Sequence, residues 1–295
     1  MHPSLETSVD TNSSKRRRGA KAGAGGGINT LLIGIALLYL SMLLFVPLVA
    51  IFVKAFEKGF GVYWAAITES DALSAVRLTL FVTAIVVPLN TLFGIAAAWA
   101  VTKFHFRGKQ VLVSLVELPF SVSPVIAGLI FVLLFSPGGV LGPWFVEHGL
   151  NIIFSVPGII IATIFVTLPF VARELIPVLE ARGGSEEEAA VSLGANGWQM
   201  FWRVTLPNMK WGLLYGIILC SARSIGEFGA VSVVSGRIRG LTNTMPLHVE
   251  ILYNEYQFSA AFAVASLMSI LAVITLIMKS FMEWKTEQRA NREVH

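Results

Sequence analysis

The sequence predicts an all-α integral membrane protein with six transmembrane helices, and three observations carry that prediction. Hydrophobic residues fill 55% of the 295 positions and charged residues 14%, with a mean hydropathy of +0.73, far from the balance of a water-soluble domain. Apolar runs of about 20 residues, the length that crosses a bilayer, recur along the chain. The basic residues fall unevenly on the two sides that those runs define.

Taken in order, residues 1–27 are rich in Ser, Gly and basic side chains and are expected to form a disordered basic cytoplasmic tail. Its tract Lys15-Arg16-Arg17-Arg18 precedes a long apolar run, which marks a positive-inside anchor and not a nucleic-acid or nuclear-targeting element. That run is too long for a signal-peptide core, and Leu48-Val49-Ala50 is a poor cleavage site. Clean spans are expected at 28–53, 78–102, 151–172 and 257–278. Two more, 111–135 and 211–236, are equally apolar but hold Glu117 in the first and Arg223 with Glu227 in the second. With the N-terminus inside, the inner segments hold sixteen of the 22 Lys and Arg and the outer segments five, the last being Arg223. Both termini, including a tail at 286–295, are therefore expected in the cytoplasm.

Several chemistries find no residues. Cys220 is alone and inside a span, so it reads as a small buried hydrophobe, not a disulfide or thiolate ligand. His2, His105, His148, His248 and His295 include no pair at i, i+4 spacing, and no P-loop follows any glycine cluster. No metal site and no nucleotide site is expected on this chain.

The segment 185–207, SEEEAAVSLGANGWQMFWRVTLP, breaks the apolar pattern. Its three consecutive glutamates exclude it from hydrocarbon. Ser185 with Glu188 forms a capping-box pattern, with Ser185 as N-cap and a helix starting at Glu186. Glu186, Glu187 and Glu188 complement the positive end of its dipole. Gly194 suits a left-handed C-cap, with Asn196 and Gly197 completing a turn. A second short helix carries Trp198, Phe201 and Trp202, and Pro207 marks its end or its kink into the next span. The product is a helix-turn-helix bracket. Small residues at Ala189, Ala190 and Gly194 admit a close partner surface, and the aromatics offer apolar area. The same hairpin would suit a layer of lipid headgroups, and the residues alone leave both readings open.

Glu188-Ala189-Ala190, three residues, Gly194, nine residues, Val204, one residue and Leu206-Pro207 together resemble the EAA signature, EAA-x3-G-x9-I-x-LP, of permease subunits of bacterial ABC importers. Val204 in place of Ile is the one departure. LPFSVSPVIAGLIFVLLF (118–135), TIFVTLPFVARELIPV (163–178), GANGWQMFWRVTLPN (194–208) and SARSIGEFGAVSVVSGRIRG (221–240) are similar to the W-type permeases of sulfate and thiosulfate importers, with molybdate and tungstate permeases as alternatives. The resemblance implies a type I ABC importer (MetI-like) permease fold over 28–285, in a bacterial inner membrane. It implies a cytoplasmic coupling loop at 173–210, whose Glu188, Ala189, Ala190, Gly194, Leu206 and Pro207 engage an ATPase. The implied partners are a cytoplasmic ABC ATPase dimer holding ATP and Mg, a second permease of T type, a periplasmic sulfate-binding protein and membrane lipid. No nucleic acid is implied, and no cofactor is held by this chain.

Against that background the polar residues inside the spans become candidates for the pathway. Arg223 and Glu227, four apart, are expected to share a helix face and neutralise each other, either as an internal ion pair or as a tempered contact for a dianion. Gly226 and Gly229, with Ala222 and Ala230, suit close helix packing. Ser121 and Ser123, with Pro119, Pro124 and Gly128, interrupt the third span. Such a break lines a pathway with hydroxyls and backbone donors, or else is a kinked packing helix. Outside, segments 54–77 and 236–257 are long enough to receive a delivery protein, with Arg237 and Arg239 as possible contacts for its acidic residues.

These features unite in a non-enzymatic permease subunit. A membrane-embedded enzyme centred on Glu117, Arg223 and Glu227 lacks metal ligands and a nucleophile-base pair. A stand-alone secondary transporter is compatible with the missing P-loop but not with the bracket's signature.

Overall fold

A computed structural model of the chain describes residues 22–293, with side chains described over residues 30–282. Every regular element among these residues is helical. The chain divides into residues 1–51 and residues 52–295. The first unit contains most of α1 (Ala22–Phe56), whose large side chains, Leu31, Leu38, Phe45 and Val49 among them, are exposed, as suits a helix solvated by lipid. The helix already runs at Ala22, so the disorder expected for 22–27 is not found: a long apolar helix propagates into its flank even through glycines. The expectation for residues 1–21 lies outside the described residues.

The second unit begins with α2 (Phe60–Thr68) and the 34-residue α3 (Ser70–Lys103). Further on, α7 (Val156–Thr167) and α8 (Pro169–Arg182) form one rod of 27 residues. The contacts between α3 and this rod advance together along both chains. Val82 and Val86 pack with Ile159, Ala162 and Val166. Asn90 Nδ2 donates to Thr167 Oγ1 at 2.7 Å and to the Ile164 carbonyl at 3.2 Å. Gly94 meets Val171, Ala98 meets Leu175 and Leu179, and Lys103 Nζ donates to the Gly183 carbonyl. The two helices are therefore parallel and in contact from Val82 and Ile159 to Lys103 and Gly183.

Parallel neighbours need a return crossing between them. The chain from Lys103 to Val156 supplies it with α4 (Lys109–Ser121) and α5 (Pro124–Phe135), bent by 106° at residues 122 and 123. The expected single span 111–135 is thus two helices. Pro124 explains the break: its ring forces Ser123 out of helical conformation, and it opens α5 at a position that needs no N–H. With the bent pair counted as one, the described residues hold six helical segments long and apolar enough to cross a membrane. The expected end of the fourth span at Ala172 is also corrected. The charges of Arg173 and Glu174 stop a hydropathy count, but the helix continues to Arg182.

After the short α6 (Gly142–Glu147), the rod and the bracket, α11 (Leu206–Ile225) runs back antiparallel to α8, with Gly212 against Val178, Gly216 against Val171 and Cys220 Sγ against the Thr167 carbonyl. The unit closes with α12 (Gly229–Val234), α13 (Met245–Asn254) and α14 (Phe258–Glu293), which packs on α2 and α13 and is pinned by Tyr63 Oη to Ser266 Oγ at 3.1 Å. Helix continues through the region expected as a tail from 286, up to Glu293. Segments 54–77 and 236–257, expected as outer loops, contain α2 and α13.

A close approach of α3 to α8 lies at Gly94. A Cβ there would sit 2.6 Å from Val171 Cβ and 3.0 Å from the Ala172 nitrogen, so α3 or α8 must shift to admit one. Gly94→Ala is expected to cost about 1–3 kcal/mol and lower the thermal midpoint of the purified protein in detergent. Gly61→Ala, where an added Cβ meets nothing within 4 Å, is the control and should leave the midpoint level or slightly raised. Equal midpoints for Gly94→Ala and the native chain would refute the close approach.

Candidate functional site

The bracket is built from α9 (Ser185–Ser192), α10 (Gly197–Met200) and a π turn at Phe201–Thr205 that leads into α11. Its first helix starts at Ser185, with Gly184 at the N-cap, so the expected Ser185/Glu188 capping box does not form. Two of the glutamates have other partners. Glu187 Oε2 lies 2.6 Å from Lys103 Nζ, and its Oε1 accepts from Thr205 Oγ1 at 2.7 Å. Glu186 accepts from Asn208 Nδ2. Through these bonds α9 is tied to the end of α3, to the π turn and to the start of α11 at once. The Lys103–Glu187 pair is largely buried, with side-chain exposures of 15% and 14%, so it is better shielded than a surface pair.

The expected C-cap is present. Gly194 has φ +87°, its N–H donates to Val191 O at 2.9 Å, and the Ala195 N–H donates to Ala190 O at 3.0 Å, a complete Schellman motif. The capping box of the bracket sits one helix later. Asn196 Oδ1 accepts from the Gln199 N–H at 2.8 Å, and Gln199 Oε1 accepts from the Asn196 N–H at 3.1 Å.

Pro207 neither ends nor interrupts the second helix. In a tight α turn its ring would press on the Arg203 carbonyl, and it has no N–H to give. The widened π turn relieves both problems, and the Leu206 N–H bonds to Phe201 O five residues back. Helical backbone thus runs unbroken from Gly197 to Ile225. The expected loop 173–210 is mostly helical, with non-helical backbone only at 183–184 and 193–196. Phe201 turns inward to Trp99 of α3, with ring centroids 5.4 Å apart, while Trp198 and Trp202 remain exposed.

One edge of the bracket is open. Leu193 is 88% exposed, Val191, Glu188 and Ala189 are exposed beside it, and a Cβ at Gly194 would meet nothing within 4 Å. Ala190 and Leu206 are half-buried and Pro207 is exposed. The signature residues are thus divided between an open surface and the root of α11.

A second constellation forms where two broken helices meet. α11 ends at Ile225, so Arg223 and Glu227 do not share one helix as expected; their ion pair bridges the break at 2.6 Å, from Arg223 Nη1 to Glu227 Oε2. Glu227 is 2% exposed, and its other oxygen accepts the Ala230 N–H in the first turn of α12 at 2.8 Å. Paired and hydrogen-bonded, its charge is tolerated in the interior. α12 packs on α5 through glycines: a Cβ on Gly128 would lie 2.8 Å from Ala230 O, and one on Gly229 would lie 2.9 Å from Pro124 Cβ. The breaks at 122–123 and 226–228 therefore adjoin. Ser121 and Ser123 are exposed, and among the described residues their hydroxyls make no hydrogen bond, to Arg223, to Glu227 or to the preceding turn. Glu117 is exposed on α4 and forms no ion pair with Arg223, so the polar centre of an enzyme is not assembled.

Arg237 and Arg239 each have an acidic partner within the chain while their side chains stay exposed. Arg237 Nη1 lies 3.3 Å from Glu250 Oε2, and Arg239 pairs with Glu255, because α13 brings both glutamates alongside. The Glu255 hydrogen bond pushes the Arg239 pKa up. His248, buried on α13 beside Asn243, has its pKa pushed down by desolvation, which keeps the ring neutral near pH 7. Among the described residues no three His, Cys, Asp or Glu side chains form a cluster fit for a metal. Lys103 and Thr205, and the tie of Glu187 to both, are what sequence reasoning missed; a tie between residues so far apart in the chain leaves no local spacing to read.

The family model for binding-protein-dependent transport system inner membrane components matches residues 90–286. The chain is 51% identical over 267 residues to the sulfate transport system permease protein CysW of Escherichia coli K12, covering 90% of this chain and 92% of that one. It is 52% identical over 259 residues to CysW of Synechocystis sp., covering 88% and 94%. The sulfate transport system permease protein CysT of Escherichia coli K12 is 36% identical over 251 residues, with coverage of 85% and 90%. Among solved structures, a bacterial alginate ABC transporter in complex with an alginate pentasaccharide-bound periplasmic protein shares the fold, with a TM-score of 0.72, 18% identity and coverage of 86% and 92%.

The clamp on α9 is directly testable. In a double-mutant cycle Lys103→Met and Glu187→Gln are expected to be coupled by about 0.5–3 kcal/mol. Each alone should speed hydrogen exchange of the amides of 185–194, and strictly additive effects with unchanged exchange would show that no clamp exists.

Proposed function

The chain belongs to the family of binding-protein-dependent transport system inner membrane components, and on that premise we propose that it is the W-type permease of a sulfate and thiosulfate importer. It contributes half of a membrane pathway and performs no covalent chemistry. The observation that carries this reading is the bracket, with an exposed edge at Val191, Leu193 and Gly194 fit for a partner and a root continuous with a span. The relatives named as sulfate permeases supply the substrate class.

In this reading the open edge of α9 receives a cytoplasmic ABC ATPase dimer, which alone binds ATP and Mg. A T-type permease completes the pathway, and a periplasmic sulfate-binding protein delivers the anion. The excess of basic residues supports a cytoplasmic position for the bracket and both termini. When the ATPases close, the docked bracket moves. Because Glu187 is bonded to Lys103 and Thr205, and because the helix is unbroken from Gly197, that movement enters α3 and α11 together. At the far end of α11 it reaches the Arg223–Glu227 junction, where α12 meets α5. The broken span and the ion-paired break are then the parts of the pathway that the bracket can displace.

Co-purification from gentle detergent, followed by ATPase assay in reconstituted membranes, tests this reading. An ATPase and a second permease should accompany the chain, and sulfate with its binding protein should stimulate hydrolysis more than molybdate with its own. A chain that purifies alone and responds to no anion would make the bracket a lipid-surface element and remove the importer reading. Within the assembled importer, Gly194→Trp should fill the open edge and strain the left-handed position. We expect transport to fall at least tenfold with the subunit still folded, and normal transport by this variant would contradict the coupling role.

A further inference from the structure

Arg173 has no role in the account above. It lies in α8, nine residues before the helix ends, and about 6 Å from the midpoint of the 27-residue rod. Its neighbour Val171 is the residue on which Gly94 and Gly216 close, both well inside their own spans. Arg173 is thus a cation within the candidate span Val156–Arg182, and its side chain is exposed in the single chain. Among the described residues it makes no hydrogen bond and no ion pair; its partner is the face of Phe120, with the guanidinium carbon 5.2 Å from the ring centroid. Glu117, one turn before Phe120, does not pair with it, and Glu174 on the same helix lies toward Gly216 of α11. Arg223, by contrast, is neutralised at 2.6 Å by Glu227.

An arginine carries five donors and does not give up its proton. At this depth it must face a polar partner or a wet pathway, since exposure to lipid tails is costly. Stacking on Phe120, which also meets Phe170 edge-on at 5.3 Å, holds the guanidinium beside the break of the third span. The next residue, Ser121, and Ser123 two beyond it, present the exposed hydroxyls that have no partner. One fixed unpaired cation with neutral donors alongside suits a tetrahedral dianion, which a guanidinium grips by two parallel bonds, and a single charge leaves the anion free to depart.

We propose that Arg173 is the residue of this chain that contacts the cargo anion and selects for its charge, with Ser121 and Ser123 as adjacent donors. The inference rests on the reading of the chain as an oxyanion permease. The test uses the complete importer in proteoliposomes, with its binding protein, radiolabelled sulfate as probe, and the variants Arg173→Gln and Arg173→Lys. Arg173→Gln should co-purify with its partners in native proportion, while sulfate uptake per ATP hydrolysed falls about tenfold or more. Arg173→Lys, which retains the charge, should recover several-fold of that loss. Uptake by Arg173→Gln within twofold of native, or equal loss in both variants, would overturn the assignment. Loss of the second permease on purification of Arg173→Gln would overturn it too, by making Arg173 an assembly contact. If the native importer itself moves no sulfate, the oxyanion reading fails first and this inference falls with it.

Discussion

The close parallel contact of α3 with α7–α8 is the constraint from which the other features follow. It is possible because Gly94 offers no side chain where Val171 and Ala172 arrive, and because Asn90 fills its own hydrogen-bonding needs on Thr167 and Ile164 inside the same seam. In lipid there is no hydrophobic drive to press helices together, so dispersion at small residues and internal hydrogen bonds must hold them. Two parallel neighbours then demand a crossing between them, and the chain provides it with a helix broken at Pro124. The seam also sets the ends of α3 and α8 level, which is why Lys103 can reach Gly183 and Glu187.

That levelling decides what the bracket is. A helix-turn-helix attached at one root would swing on its own hinge and transmit little. Here the first helix is fastened to α3 by a shielded ion pair and to α11 by Thr205 and Asn208, while the second helix becomes α11 without a joint. The π turn is what makes this continuity compatible with a proline, and Phe201 within it packs on Trp99. The exposed surface that remains lies around Leu193 and Gly194. A force applied there is delivered to two spans, and both lead to the region where the broken helices meet.

Much of this was legible in the residues. Spans of unbroken apolar sequence, the left-handed glycine at 194 and the interruption near Ser121–Pro124 all depend on local chemistry, and each appears where the sequence places it, although the interruption is a sharp bend and not a mild kink. Several of the errors come from partners distant in the chain. Ser185 and Glu188 have the spacing of a capping box, but Glu187 and Glu186 are drawn to Lys103, Thr205 and Asn208, and the box forms at Asn196 and Gln199 instead. The ion pairs of Arg237 and Arg239 were not legible, because Glu250 and Glu255 come alongside only through α13. Arg173 was taken as the first residue beyond a span, since a hydropathy count stops at charge, whereas a helix does not stop where its charged side chain faces something other than lipid.

The central claim is that the bracket and the adjoining ends of α3 and α11 move as one body. It is tested most directly by distances between spin labels at two exposed positions, Leu193 on the bracket and Phe104 just beyond α3, in the complete importer at rest and trapped with nucleotide. The account predicts that this distance is the same in both states, while the distance from Leu193 to its counterpart across the importer changes. A Leu193–Phe104 distance that changes with nucleotide would show a bracket swinging on its own hinge, and would contradict it.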